Sequence, residues 1–168
     1  SANISSKKVV LNHIKRKKNK FNKNISCEYI IENKSNNIIG TAGFVIDWDS
    51  KSANYYIKLK QKYWGNEYAK ERGLAFTAIS FEDLDLNKVE VQALVKNKNS
   101  IKSIWKYMKK VGGHVSGINY SGFNITNTDT PENAIIFTTT KEKYYNSLYE
   151  NSDNTTLISD LDNILSLL

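Results

Sequence analysis

The sequence has one cysteine, Cys27, and one proline, Pro131. A lone cysteine excludes an intrachain disulfide framework and a cysteine-rich metal site, and it fits a reducing compartment, so the cytoplasm is the expected location. No apolar run approaches the roughly 18 residues that a membrane-spanning helix needs, and no membrane partner is expected. Val9, Val10 and Leu11 make too short an apolar segment for a secretory signal. Arginine is also scarce, Arg16 and Arg72 being the only two among 24 basic side chains. Groove readers and phosphate clamps rely on the guanidinium fork, so sequence-specific nucleic-acid binding is disfavoured. No Walker loop, GxGxxG turn, HExxH pair or GxSxG elbow occurs. His13 and His114 have no partner at ligand spacing, so both are read as structural and no metal is expected.

What remains is a chain of ordinary globular composition, 168 residues with 40% apolar and 24% charged, which suits a single domain. Its net charge of +7 is unevenly placed. The first 24 residues hold eight basic side chains and no acid, whereas from Glu142 onward five acids face one lysine. Basicity therefore belongs to one end, and the body is close to neutral.

Periodicity predicts a helix from residue 5 to about 20, with Val9, Val10, His13, Ile14 and Phe21 as a loose stripe among lysines, read as a solvated basic helix. Residues 27–32 and 38–46 read as a hairpin around the turn-rich 33–37, and Gly40 and Gly43 suggest a bulge or a close backbone approach. A third strand is expected at 54–59, with Lys58, Lys60 and Lys62 on one face if it runs on. A helix of about 15 residues then ends near Phe81. A strand at 88–95 and a helix at 100–111 follow, the helix stopped by Gly112 and Gly113. Strands are expected at 115–120 and 134–140. Residues 151–168 carry Leu157, Ile158, Leu161, Ile164, Leu165 and Leu168 among acids, the pattern of an amphipathic tail helix. The order implies an α/β fold with a mixed sheet flanked by helices.

The informative stretch lies between Gly40 and Gly113. GTAGF at 40–44, YWGNEYAKE at 63–71 and LDLNKVEVQALVKNKNSIKSIWKYMKKVGG at 84–113 resemble the GCN5-related N-acetyltransferases (GNAT). The likeness is to the branch of ribosomal-protein N-terminal acetyltransferases, the RimJ/RimL type, whose members read GxxGL, YWGKGYATEA, LGLNRVEA and NxxSxxxLEKLGF. It runs in order from about residue 5 to 143. It implies a mixed, mostly antiparallel sheet, and transfer of acetyl from acetyl-CoA to a primary amine by direct attack with both substrates bound. The amine would belong to a small molecule or a peptide N-terminus.

The resemblance also implies where the groups lie. Acetyl-CoA would occupy a splayed opening between the third and fourth strands. Its pyrophosphate would meet the turn of Trp64, Gly65, Asn66, Glu67, Tyr68 and Ala69, a place where free amides and a positive helix end suit an anion. Its pantetheine would run along the strand bearing Tyr56, Ile57 and Leu59. Asn97 and Ser100 stand at the NxxS positions, Asn97 toward the cofactor and Ser100 as an acid for the departing thiolate. Ser100 alternatively caps a helix beginning at Ile101. Asp47 and Asp49 could reach the acceptor side. Trp48 between them reads as a core residue, or as an exposed ring that stacks on the acceptor.

Four departures from the pattern stand out. Asn54 replaces a common glutamate, Glu67 replaces a glycine, and Ile104 or Trp105 replaces a late tyrosine. Glu67 would repel phosphates unless it pairs with Lys70 one turn on. The fourth is that the first strand and helix of the complete fold are absent, so residues 1–150 are read as an N-terminally incomplete acetyltransferase domain and 151–168 as its tail. The alternative is a catalytically weakened CoA-binding or interaction module of a larger chain. In either reading the terminal helices could serve a homodimer or a flanking domain.

Overall fold

The structure, a computed structural model, describes residues 7–123 and 132–149. Its elements are α1 (Lys7–Asn22), β1 (Ser26–Glu32), β2 (Ile38–Asp47), β3 (Ser52–Leu59), α2 (Tyr68–Ala78), β4 (Lys88–Leu94), α3 (Lys98–Met108), β5 (His114–Phe123), β6 (Glu132–Thr140) and α4 (Lys141–Tyr149). The strands form one six-stranded sheet in the order β1-β2-β3-β4-β6-β5. Every neighbouring pair is antiparallel except β3 and β4. The expected mixed α/β sheet is therefore present, with β1 at its edge among the described residues.

Asn33 closes the β1–β2 hairpin by accepting the amides of Ser35 and Asn37, both at 3.0 Å. The ladder skips Ile39 between the pairs Ile31–Gly40 and Glu32–Ile38. Gly40 beside this bulge has no room for a side chain, since a Cβ would lie 2.1 Å from the Lys58 carbonyl oxygen. At Gly43 a Cβ would lie 2.6 Å from the Cys27 carbonyl oxygen and 2.8 Å from the Tyr56 hydroxyl. Both glycines thus serve close approach, as their place in a strand suggests.

One face of the sheet carries the core. Alternation along β3 and β4 buries Ala53, Tyr55, Val89, Val91 and Ala93 beneath α2 and α3. Phe44 stacks on Phe76 with centroids 4.1 Å apart. The Tyr55 hydroxyl lies 3.1 Å from Thr77 Oγ1 and donates to Met108 Sδ at 3.6 Å. Helix α2 comes close to α3 at Gly73, where a Cβ would lie 2.6 Å from the Tyr107 ring.

The opposite face meets α1 through a polar tie. Lys17 Nζ donates to the Tyr56 hydroxyl at 3.0 Å and pairs with Glu28 at 3.0 Å. Leu11, Ile14 and Phe21 remain exposed, so α1 is the solvated basic helix that its charge predicts. The side chains of Val9, Val10 and His13, and all of residues 151–168, lie outside the described residues.

Several boundaries differ from expectation. The α-helix after the 64–69 turn stops at Ala78 and continues as a π turn, Ile79–Asp83. Thr77 and Ser80 hydroxyls bond back to the Gly73 and Phe76 carbonyls at 2.8 and 2.7 Å, competing with the regular ladder there. Strand β3 ends at Leu59, so Lys60 and Lys62 do not continue the row of Lys58. Lys60 Nζ instead bonds the Ile38 carbonyl at 2.6 Å, and Lys62 lies over the Tyr63 ring. Trp48 is not in the core. It is 44% exposed, and its indole N–H bonds the Asn24 carbonyl at 2.7 Å.

Helix α4 has no counterpart in the expected elements. It follows β6 directly, with Thr140 Oγ1 accepting the Lys143 amide at 3.3 Å. Tyr144 anchors it, buried against Phe81 with its hydroxyl donated to Glu82. His114 Nδ1 lies 3.3 Å from Lys143 Nζ, and burial, then the Lys143 charge, pushes its pKa down. That contact fits the structural role expected of His114.

Candidate functional site

The sheet forks between its two parallel strands. β3 and β4 share three rungs, Ser52–Lys88, Ala53–Val89 and Asn54–Glu90. Beyond these β3 stays with β2 as far as Leu59, and β4 stays with β6 as far as Leu94. The inner backbone edges of 55–59 and 91–94 therefore have no ladder partner among the described residues. Backbone amides and carbonyls need partners, so a wedge of this kind suits an extended ligand rich in amide groups. α2 and α3 both begin at the open end, beyond the carboxyl ends of the two strands.

The turn at that end is built for an anion. Gly65 has φ +81°, and a Cβ there would meet nothing within 4 Å, so the space above it is open. Trp64 is 63% exposed and clamps the exit of β3 by donating its indole N–H to the Leu59 carbonyl at 2.9 Å. The Asn66 side-chain amide bonds the Tyr63 carbonyl at 3.2 Å. Glu71 is the first residue of α2 whose amide finds a carbonyl, that of Glu67 at 2.9 Å, and the Glu67 side chain caps nothing. The amides of Tyr68, Ala69 and Lys70 are thus left at the positive end of the helix dipole. Glu67 takes the second of its two possible arrangements and bonds Lys70. Lys70 chiefly, with Lys106 and Lys110 adding to it, holds the Glu67 carboxyl below the usual range.

Farther into the fork the expected strand residues divide between faces. Tyr56 faces α1 across Gly43, whereas Ile57 packs on the core face of the sheet, where alternation also places Leu59. The backbone groups of Ile57 and Leu59 turn toward the fork, whereas those of Tyr56, one position out of step, turn toward β2. Asn97 caps α3, its Oδ1 accepting the Ser100 amide at 3.0 Å, so the helix starts at Lys98. The capping role considered for Ser100 therefore belongs to Asn97. The Ser100 hydroxyl has no partner among the described residues. Ile104 and Trp105 are core residues, unable to serve as a tyrosine would. Tyr107, nearby on α3, is fully buried, and burial pushes its phenol well above the ordinary value.

Two carboxylates lie on the face of the sheet turned away from the core. Asp47 pairs with Ser52, two residues below Asn54 on the same face. Its Oδ1 accepts the amides of Asp49 at 3.1 Å and Ser50 at 3.3 Å. The Ser50 hydroxyl and then these amides hold its carboxyl low, which makes it first of all a turn-forming acid. Glu90 is the residue that sequence reasoning missed. It stands beside Asn54 on the last rung before the fork, 24% exposed at its side chain and 3.0 Å from Lys88 Nζ. The available signal was the alternation of Lys88, Glu90 and Gln92 with the buried Val89, Val91 and Ala93. Among the described residues no three of His, Cys, Asp and Glu gather as a metal site, and no helix is long and apolar enough to cross a membrane.

Comparison with known proteins bears on this geometry. The acetyltransferase (GNAT) domain matches residues 4–112, more than half of the chain. Spermidine N-acetyltransferase from Vibrio cholerae in complex with CoA and spermine superposes with a TM-score of 0.71 at 17% identity, over 86% of this chain and 81% of that one. The dodecameric structure of the same enzyme in an intermediate state gives 0.67 at 18% identity, over 80% and 77%. Its spermidine/spermine N-acetyltransferase in complex with manganese ions gives 0.67 at 18%, over the same shares. At this identity the likeness is one of fold. No curated protein matches the chain by sequence.

Proposed function

The chain belongs to the GNAT acetyltransferase family, and we propose that it moves an acetyl group from acetyl-CoA to a primary amine of a small molecule or a peptide N-terminus. The observation that carries this reading is the fork beyond Asn54–Glu90, which opens toward a turn with free amides. The open space above Gly65 fits a pyrophosphate, and the free edge of 55–59 fits the two amides of a pantetheine arm. The order of motifs from 84 to 113 supports the ribosomal-protein N-terminal acetyltransferase branch. The polyamine enzymes named above support a small amine as acceptor.

In this reading Tyr68, Ala69 and Lys70 receive phosphate oxygens on their amides, and Asn97 keeps the start of α3 in place beside them. Glu90 takes the proton from the amine as its nitrogen forms the new C–N bond, with Asp47 lower on the same face helping to draw a cationic acceptor in. Ser100 gives a hydrogen bond to the sulfur as the C–S bond breaks, and the thiol leaves protonated through solvent. The acetyl group itself comes from the bound thioester. In the same reading a backbone amide on the free edge of β3 receives the oxyanion. The exposed Leu11, Ile14 and Phe21 of α1 support self-association or docking of a flanking domain through that helix. The single cysteine supports a cytoplasmic setting.

The test is calorimetric titration with acetyl-CoA, followed by thiol release with spermidine and with a peptide bearing a free N-terminus. Glu90→Gln should lower kcat by about a hundredfold while acetyl-CoA affinity is retained. Binding without thiol release would make the chain a CoA-binding module, and absence of binding would overturn the reading of the fork.

A further inference from the structure

We propose that a lysine-lined cleft between the start of α2 and the end of α3 receives the 3′-phosphate of CoA, so that the protein selects CoA over its 3′-dephospho form. The inference rests on the reading of the β3–β4 fork as the CoA site and adds a specificity element to it. The cleft measures about 350 Å³ and is lined by Glu67, Lys70, Lys106, Lys109 and Lys110.

Close helix packing brings these residues together. Helix α2 has no side chain at Gly73, where a Cβ would lie 2.6 Å from the Tyr107 ring, so α2 and α3 meet at that point. Lys70 is one turn before Gly73, and Lys106 and Lys110 flank Tyr107 in sequence. Tyr107 turns into the core, whereas Lys106 and Lys110 stay exposed, one turn apart, with Lys109 opening the 3-10 turn that ends the helix. The charges of Lys106 and Lys110 are both felt by the Glu67 carboxyl on the other side.

Within the cleft the charges do not balance. Glu67 is bonded to Lys70 and matches that lysine alone. Lys106, Lys109 and Lys110 take part in no ion pair among the described residues. Lysines at the end of a helix complement its dipole, but that role does not require them to share a cleft with Lys70 of another helix, where like charges repel. A phosphate monoester, with a charge of about −1.5 to −2 at neutral pH, would offset the excess. The position suits CoA in particular. Glu67 and Lys70 belong to the turn whose free amides fit the pyrophosphate, and in CoA a single ribose separates the pyrophosphate from the 3′-phosphate.

Calorimetric titration of the full chain with CoA and with dephospho-CoA tests this. CoA should bind at least about tenfold more tightly, and the preference should shrink as salt is raised from about 0.05 to 0.5 M, because the lysines are exposed. Replacing all three free lysines, by Lys106→Gln, Lys109→Gln and Lys110→Gln, should bring CoA to within about twofold of dephospho-CoA and leave dephospho-CoA itself within about twofold of its original affinity. Should the triple variant fail to fold, Lys106→Gln and Lys110→Gln singly should each reduce the preference by about two- to threefold. Lys34→Gln, in the distant β1–β2 hairpin, removes the same charge and should leave the preference intact. Equal affinity for the two nucleotides, an unchanged preference in the folded lysine variants, or the same loss in Lys34→Gln would each overturn the proposal while the fork stands. Binding of neither nucleotide would overturn the reading of the fork and this inference with it.

Discussion

Replacing Asn97 by alanine removes the one side-chain cap that α3 has, the 3.0 Å bond from the Ser100 amide to the carboxamide oxygen. Loss of an N-cap costs about 1 kcal/mol, within a range of about 0.5 to 2. For a chain of this length that lowers the melting temperature by about 2–4 °C. Ser100→Ala should behave in the opposite way. Its hydroxyl holds nothing in place among the described residues, and the amide that Asn97 caps survives the substitution, so stability should stay within about 0.5 kcal/mol. If the hydroxyl stabilises the departing sulfur, kcat should fall by about tenfold or more with acetyl-CoA affinity nearly unchanged. The two changes should add in stability, because the cap is made through a backbone group that both serine and alanine provide. Urea melts and thiol-release kinetics on the two single variants and the double variant measure all of this. An Ser100→Ala protein that loses as much stability as Asn97→Ala, yet turns over normally per folded molecule, would remove Ser100 from the chemistry and show that the cap is shared.

Three further outcomes are expected. Glu67→Gly should leave CoA affinity within about fivefold, since the carboxylate is engaged with Lys70 on an exposed surface; a tenfold gain by calorimetry would mean that it faces the phosphates instead. Gly73→Ala should destabilise by about 1–3 kcal/mol in urea melts, because a Cβ 2.6 Å from the Tyr107 ring overpacks the α2–α3 contact and outweighs the roughly 1 kcal/mol gained in helix propensity. Tyr144 is pushed up to about 12, by burial first and then by Glu82. A phenol that holds its proton longer when folded stabilises the fold fully below its ordinary value of 10.0 and loses that contribution as pH rises toward about 12. Denaturation midpoints should therefore fall over that window, less steeply in Tyr144→Phe, and an identical slope in the variant would remove Tyr144 as a cause.

The order of helices and strands was written in local patterns, because each depends on residues a few positions apart. Asn33 with its neighbours announces a hairpin, Gly112 and Gly113 stop a helix, and the run from Ala69 to Phe76 has helical spacing. The likeness to a family followed from motifs in order, and with it the turn at Gly65. Where local signals were doubled, the reading went astray. Asn97 and Ser100 both suit a cap, and only the backbone path showed which side chain reaches which amide. Trp48 could be buried or exposed, since a ring's burial depends on what packs over it. Helix α4 had no cap motif or breaker that set it apart, and its anchor, Tyr144, became meaningful only once Phe81 and Glu82 were beside it.

What only the tertiary structure decided are relations between residues far apart in the chain. Asn54 announces a missing carboxylate, but nothing local says that Glu90, 36 positions on, stands next to it; parallel strand register does. The pairing of Glu67 with Lys70 was one of two local possibilities, and the field of Lys106 and Lys110 from another helix bears on it. Arg72 reads in sequence as one polar residue on an apolar stripe. Its setting among three rings drawn from β3, α2 and α3, with no carboxylate paired to it among the described residues, exists only in the folded chain. Sequence periodicity settles which face a side chain takes on its own element, whereas pairing and packing between elements settle what that side chain meets, and chemistry depends on the second.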